Sequence, residues 1–226
     1  FYLSEINSNT LSINFNNKIL ISKELSVAMY GIPVTAPIVL WDISDDKSKL
    51  AVSFSRYYHA QALAKDRPKT QYTLLKSFVF DGNLKVIKSN FFDVEPEKYY
   101  SKYYESYDMK VNNNGDVVTL LKYNIKQAKG PVAINSSIHI TSGDDKVGKI
   151  LDIKLPNNLL IRDNSVLEIN DNYIIFTGMP SILEKNTYSL TVHSIIGYMN
   201  CILNFNGDIL NSSINSFDNF EVDFPE

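Results

Sequence analysis

Cysteine is all but missing from this chain. Cys201 stands alone in 226 residues, which excludes an intrachain disulfide framework and a cysteine-rich metal site. Strong charge of one sign is missing too. The formal net charge is −3, so no basic field exists to hold nucleic acid, and an anionic membrane surface is excluded with it. No apolar run approaches the roughly 18 residues of a membrane-spanning helix, so membrane insertion is not expected. Glycine and proline are few, at nine and eight, and the glycines are spread singly. A glycine-rich loop that cradles phosphate is therefore absent. Gly-x-Ser-x-Gly is absent as well, which removes the nucleophile elbow. No signal-peptide pattern is read at the start. The first residue is Phe1 rather than methionine, so a natural N-terminus lying upstream is expected.

What is present suits sheets. Hydrophobic residues make up 44% and charged residues 21%, a globular balance that excludes general disorder. Asn occurs 24 times, and Tyr and Phe together 26 times. β-branched and aromatic residues dominate the apolar set, which favours pleated strands. Helical periodicity is confined to two short stretches, around Tyr57–Lys65 and around Glu95–Tyr104, the second with Pro96 suited to a first turn.

Elsewhere short alternating runs are broken by Asn, Asp and Gly, the signature of strands and hairpins. Two kinds of hairpin interleave. The first has turn centres near 17 (Ile13 to Ile21), 82 (Phe78 to Val86), 144 (Ile138 to Val147) and 207 (Leu203 to Leu210). The second has centres near 46 (Trp41 to Phe54), 114 (Met109 to Val118) and 171 (Val166 to Phe176). Two-residue hairpins want positive φ at both central positions, and Asp81-Gly82, Asn114-Gly115 and Asn206-Gly207 meet that demand. A shared period near 60, with one hairpin of each kind per unit, gives about four strands per unit. The expected fold is all-β: a β-propeller or partial propeller of about 3.5–4 four-stranded blades built from antiparallel hairpins. The chain reads as a single repeat-built domain, with units at 1–37 (partial), 38–105, 106–163 and 164–226. Closed propellers use four to eight blades. The shortfall implies a segment of a longer protein, a neighbouring chain that completes the ring, or an open sandwich or solenoid.

Asp45-Asp46 before Lys49-Leu50-Ala51-Val52, then Val79-Phe80-Asp81-Gly82-Asn83-Leu84, then Val111-Asn112-Asn113-Asn114-Gly115-Asp116-Val117 form one repeat grammar. It resembles that of uncharacterised β-propeller-like repeat proteins of Bacteroidota-type bacteria, over residues 38 to 210. The resemblance implies an exported, extracytoplasmic protein and no defined reaction. Trp41-Asp42 resembles the WD dipeptide, but it precedes a turn and lacks an upstream Gly-His, so WD40 repeats are excluded.

The candidate sites are weighed against plainer roles. Asn112 to Asp116 is rich in oxygen ligands, but residue 123 is Tyr and no bidentate Glu follows, so a simple turn is the better reading than a calcium loop. His59, His139 and His193 lack paired spacing and read as structural or surface residues. Cys201 sits in an apolar strand and reads as a buried thiol. Most acids fall in turns. No catalytic residue, metal or cofactor is therefore expected. The remaining signal is aromatic. Arg56, Tyr57 and Tyr58, then Tyr99, Tyr100, Tyr103 and Tyr104, concentrate tyrosines outside the clearest strands, with Tyr107 nearby. Tyrosine joins a broad apolar face to a polar tip, which suits recognition of a protein or glycan. Packing between blades is the plainer alternative. The expected function is a non-enzymatic binding or scaffold domain. Its rivals are a glycoside hydrolase or lyase on a propeller scaffold, and a structural subunit of a larger assembly. The expected partner is a protein or glycan, or further blades from the same or another chain.

Overall fold

The computed structural model describes residues 2–7, 12–18, 27–29, 32–35, 38–55, 72–94, 102–125, 133–153, 159–185 and 191–217; for β1–β4 and the strand ends beside the gaps only the backbone is described. Every regular element among them is a strand. The chain is all-β.

Two small ribbons come first. β1 (Tyr2–Asn7) pairs with β2 (Ser12–Lys18), and β3 (Val27–Met29) with β4 (Ile32–Thr35). Three larger antiparallel sheets follow. The first is a meander of β5 (Ile38–Ile43), β6 (Lys49–Ser55), β7 (Tyr72–Asp81) and β8 (Val86–Val94). The second is β9 (Lys102–Val111), β10 (Val117–Ile125), β11 (Ala133–Thr141) and β12 (Lys149–Asp152). The third runs β13 (Leu160–Ile169), β14 (Ile174–Lys185), β16 (Gly197–Leu203) and β17 (Ile209–Ser216). β15 (Thr191–Ile195) pairs with the far half of β14. Among the described residues these sheets do not close into a barrel or a propeller.

The expected hairpins appear with two corrections. The turn placed near 17 does not exist: Asn16 and Asn17 lie within β2, where Asn17 pairs with Leu3. Asn marks a turn only when the flanking strands pair across it, and here Asn7 opposite Ser12 puts the connection at residues 8–11 instead. The second correction concerns turn type. Positive φ occurs once per turn rather than twice: at Gly115 (81°), Gly207 (85°) and, unexpectedly, Leu84 (59°) rather than Gly82. These are three-residue loops, a type I turn followed by one left-handed residue. Asp81 Oδ1 accepts the amides of Asn83 and Lys85 at 2.9 Å. Asn112 Oδ1 accepts those of Asn114 (3.0 Å) and Asp116 (2.8 Å). Asn170 and Asn204 hold their turns in the same way. The acidic and amide side chains thus fix the turn from its first position.

The helix expected around Glu95–Tyr104 is also corrected, because residues 102–104 belong to β9. Tyrosine and β-branched side chains suit the pleat, and pairing with β10 overrides the weak helical spacing. The stretch around Tyr57–Lys65 lies outside the described residues.

Each sheet has a leading face, toward the sheet before it, and a trailing face, toward the sheet after it. Ala51 and Val79 on the trailing face of the first sheet meet Met109, Val111 and Val117 on the leading face of the second. Val118, Leu120, Ile138 and Ile140 on the trailing face of the second meet Ile161, Leu167, Ile174, Phe176, Met199, Cys201 and Leu203 of the third. Cys201 is buried there as expected, and burial raises its thiol pKa. Apolar side chains on both faces of the second sheet follow from its sandwiched position.

Candidate functional site

Strand direction separates two ends. The turns at 44–48, 81–85, 112–116, 142–148 and 204–208 share one end, since each joins two neighbouring antiparallel strands there. At the other end Ser55 pairs with Ile38 and Leu75, Tyr72 with Val94, and Ile125 with both Lys102 and Ala133. Both long connections bearing the tyrosine clusters, 56–71 and 95–101, therefore start and finish at that second end.

Arg56, Tyr57, Tyr58, Tyr99 and Tyr100 themselves lie outside the described residues. Tyr103 and Tyr104 lie in β9 opposite Asn124 and Tyr123. They are strand residues, which corrects their placement outside the strands; their side chains are not described. Tyr107 is in β9 as well. It is the extra residue of a β-bulge, because Asp108 opposes Leu120 and Ser106 opposes Leu121. Such a bulge re-aims a side chain, and Tyr107 is 47% exposed. Lys122 Nζ sits 3.2 Å from the centre of its ring, with Lys122 itself only 9% exposed. A desolvated ammonium on a tyrosine face is a strong version of the cation–π contact.

The turn end holds a groove of about 590 Å³ that the sequence did not announce. It lies between β8 and two turns of the second sheet, lined by Lys88, Asn90, Asn114, Gly115, Asp144 and Lys146 among others. Lys88 reaches the Gly115 carbonyl at 3.5 Å and Asp116 at 3.7 Å. Burial lowers its pKa, against the pull of Asp116, Asp144 and Asp145. Asn90 donates to Thr141 Oγ1 at 3.0 Å, while its own Oδ1 is buried without a partner. No protein-family model and no curated protein matches this chain. Any role for either end therefore rests on its own geometry.

His139 is 2% exposed, its ring tilted against Phe92 with centroids 5.1 Å apart. Its Nε2–H donates to the Val147 carbonyl at 2.8 Å, which pins the 142–148 turn and fixes the neutral tautomer. Asp145 Oδ1 accepts the amides of Val147 and Gly148, and these bonds lower its pKa. Burial lowers the pKa of His139 below the ordinary value. The folded-state value is thus depressed, and the unfolded chain takes up the proton first. The stability that neutral His139 contributes is therefore constant above about pH 6.5 and is lost as the pH drops below it. Chemical denaturation between pH 7 and 5 is expected to show this slope, and His139→Gln is expected to flatten it. An equal slope in both proteins would remove His139 as its source.

Proposed function

We propose that the chain is an array of β-propeller blades acting as a non-enzymatic binding or scaffold domain, with a protein or glycan held at the end where the tyrosine-rich connections join the sheets. The observation that carries this reading is topological. Strand direction brings 56–71, 95–101 and the start of β9 to one end, and Tyr107 stands exposed on the same strand. Loops on a rigid sheet scaffold are the common carriers of recognition.

Two features support the blade reading. β9, the first strand of its sheet, lies against β5 and β13, the first strands of the sheets on either side. Cavities open instead at the last strands: one beside β8, and another of about 160 Å³ between β12 and β16–β17. Sheets close at their first strands and apart at their last ones are splayed as propeller blades are. The acids favour binding over hydrolysis. Asp42, Asp46, Asp81, Asp116, Asp145 and Asp171 each accept a backbone amide, so they serve the turns and the contacts between sheets.

The test is binding to immobilised glycans and to a panel of extracellular proteins. Tyr103→Ala with Tyr104→Ala, and Tyr107→Ala separately, are expected to weaken binding about tenfold or more, as loss of an aromatic anchor does. The melting temperature should stay within a few degrees of the parent. Unchanged binding, no binding by the parent chain, or collapse of the fold would each defeat the reading.

A further inference from the structure

The walls of the groove at the turn end are tied to one another. Phe91 N–H, on the edge of β8, donates to the Lys146 carbonyl at 2.8 Å. Asp116 Oδ1 accepts the Gly143 amide at 2.9 Å, which joins the turn at 112–116 to the turn at 142–148. Asn90 Nδ2 crosses from β8 to Thr141 Oγ1 on β11. These contacts link β8 with both turns, so the space of about 590 Å³ between them is formed before any ligand arrives. Its size falls within the roughly 300–1,000 Å³ of small-molecule pockets.

Donors and acceptors in this groove have capacity to spare. Lys88 and Asn90 stand two apart on β8 and share the face that meets the second sheet. The Lys88 ammonium carries three N–H groups. Its described contacts are long, 3.5 Å to the Gly115 carbonyl and 3.7 Å to Asp116. The Asn90 carboxamide turns its nitrogen to Thr141. Thr141 Oγ1 gives its own proton to the Val117 carbonyl at 3.2 Å, so the amide cannot be flipped to accept from it. Asn90 Oδ1 is thus an acceptor without a donor, in a residue only 1% exposed. Such a deficit costs stability until a donor meets it. Asn114, Asp144 and Lys146 line the same groove, and their side chains make no hydrogen bond among the described residues.

The charges narrow the class of ligand. Lys88 already takes the place of a cation beside Asp116, so a second cation is repelled there. Asp116, Asp144 and Asp145 all act on Lys88, and Lys146 adds only one further positive charge. An anion therefore meets no net positive field. What fits is a neutral molecule whose groups both donate and accept. A hydroxyl does both, accepting from Lys88 and donating to Asn90 Oδ1 or Asp144. Val86 and Ile87 also line the groove and are 44% and 47% exposed, an apolar strip for the C–H face of the same molecule. We propose that the groove between β8 and the turns at 112–116 and 142–148 binds a neutral saccharide, with Lys88 donating to one ring hydroxyl and Asn90 Oδ1 accepting from another. The groove lies at the opposite end of the sheets from the tyrosine-rich connections, and it does not rest on the role proposed for them.

The test is amide NMR of the full chain, titrated with glucose, galactose, mannose, maltose and cellobiose. The expected result, with at least one of them, is a saturable shift of the Gly115 and Gly143 amides and of the Asn90 side-chain amide. Lys88→Met keeps the stem and removes the donor. It is expected to weaken that binding about tenfold or more, the scale of a hydrogen bond to a charged group. No saturable shift at these three groups with any of the sugars at millimolar concentration overturns the proposal. So does binding that Lys88→Met leaves intact. Sodium acetate and inorganic phosphate are titrated in parallel, and either one shifting the same groups at lower concentration than every sugar overturns the neutral class. If Lys88→Met does not fold, the shifts in the parent chain decide alone. The map also separates the two ends. Shifts along β9 around Tyr107, with none in the groove, overturn the groove and leave the tyrosine reading standing. Shifts in the groove alone uphold the groove without it.

Discussion

Phe176→Ala is expected to destabilise the chain by about 4 kcal/mol, the usual cost of emptying a buried phenylalanine site. Phe176 is fully buried in the continuous cluster between the second and third sheets, with Leu120, Ile138, Leu167 and Met199 around it. Those neighbours come from four strands of two sheets, each fixed by its own ladder, so the cavity cannot collapse cheaply. A loss of that size is a large part of the 5–15 kcal/mol that holds a typical domain together. Trp41→Ala is the control, because Trp41 has the larger ring but lies mostly in water. Its cost should stay below about 1 kcal/mol. Denaturant titration of both variants decides the matter. Similar losses from the two would mean that Trp41 is covered within its own chain, and a loss under about 1 kcal/mol at Phe176 would mean that the sheets do not share this core.

The contrast between Phe176 and Trp41 shows where sequence reading stops. Hairpins at 82, 114 and 207 were legible because their cause is local: an Asp or Asn side chain takes its own turn's amides while alternation flanks it. The Asn16-Asn17 turn failed for the same local reason. Asn7, Asn9, Asn16 and Asn17 offer equal turn chemistry, and only the pairing of Ile6 with Ile13 chooses between them. Alternation also says which residues share a face, but not whether anything covers it. Trp41 and Leu167 therefore look alike in sequence and differ completely in exposure. The groove was missed because its partners are distant: Lys88 meets Asp116, and Asn90 meets Thr141, across two sheets. A signal did exist. Lys88 and Asn90 alternate with Phe92 on one face of β8, and polar residues on a face set against another sheet mark a place where that sheet must answer them. The tyrosine end was legible as composition, but the bulge that turns Tyr107 outward depends on the register of β9 against β10.

Gly148→Ala is expected to cost about 3 kcal/mol, although Gly148 sits in a partly exposed turn. Two effects add. Its φ of +79° is left-handed, which costs a residue with a Cβ about 1–2 kcal/mol. The added Cβ would also fall on His139 Nε2, lie 2.5 Å from Thr141 Cγ2 and lie 2.8 Å from the Ile140 carbonyl oxygen. The carbonyl lies on β11, where Ile140 pairs with Lys149 of β12, and cannot move aside. The imidazole cannot either, because it is packed on Phe92 and bonded to Val147. Relief must come from the turn, which would give up the His139 bond and the Asp145 bonds to Val147 and Gly148. The variant should therefore lose the acid-side slope assigned to His139 as well as stability. Gly82→Ala is the matched control, with ordinary φ and no atom within 4 Å of the new methyl. It is expected to change stability by less than about 0.5 kcal/mol. A Gly148→Ala protein as stable as the Gly82→Ala protein, with its slope below pH 6.5 intact, would show that the 142–148 turn is not held by His139.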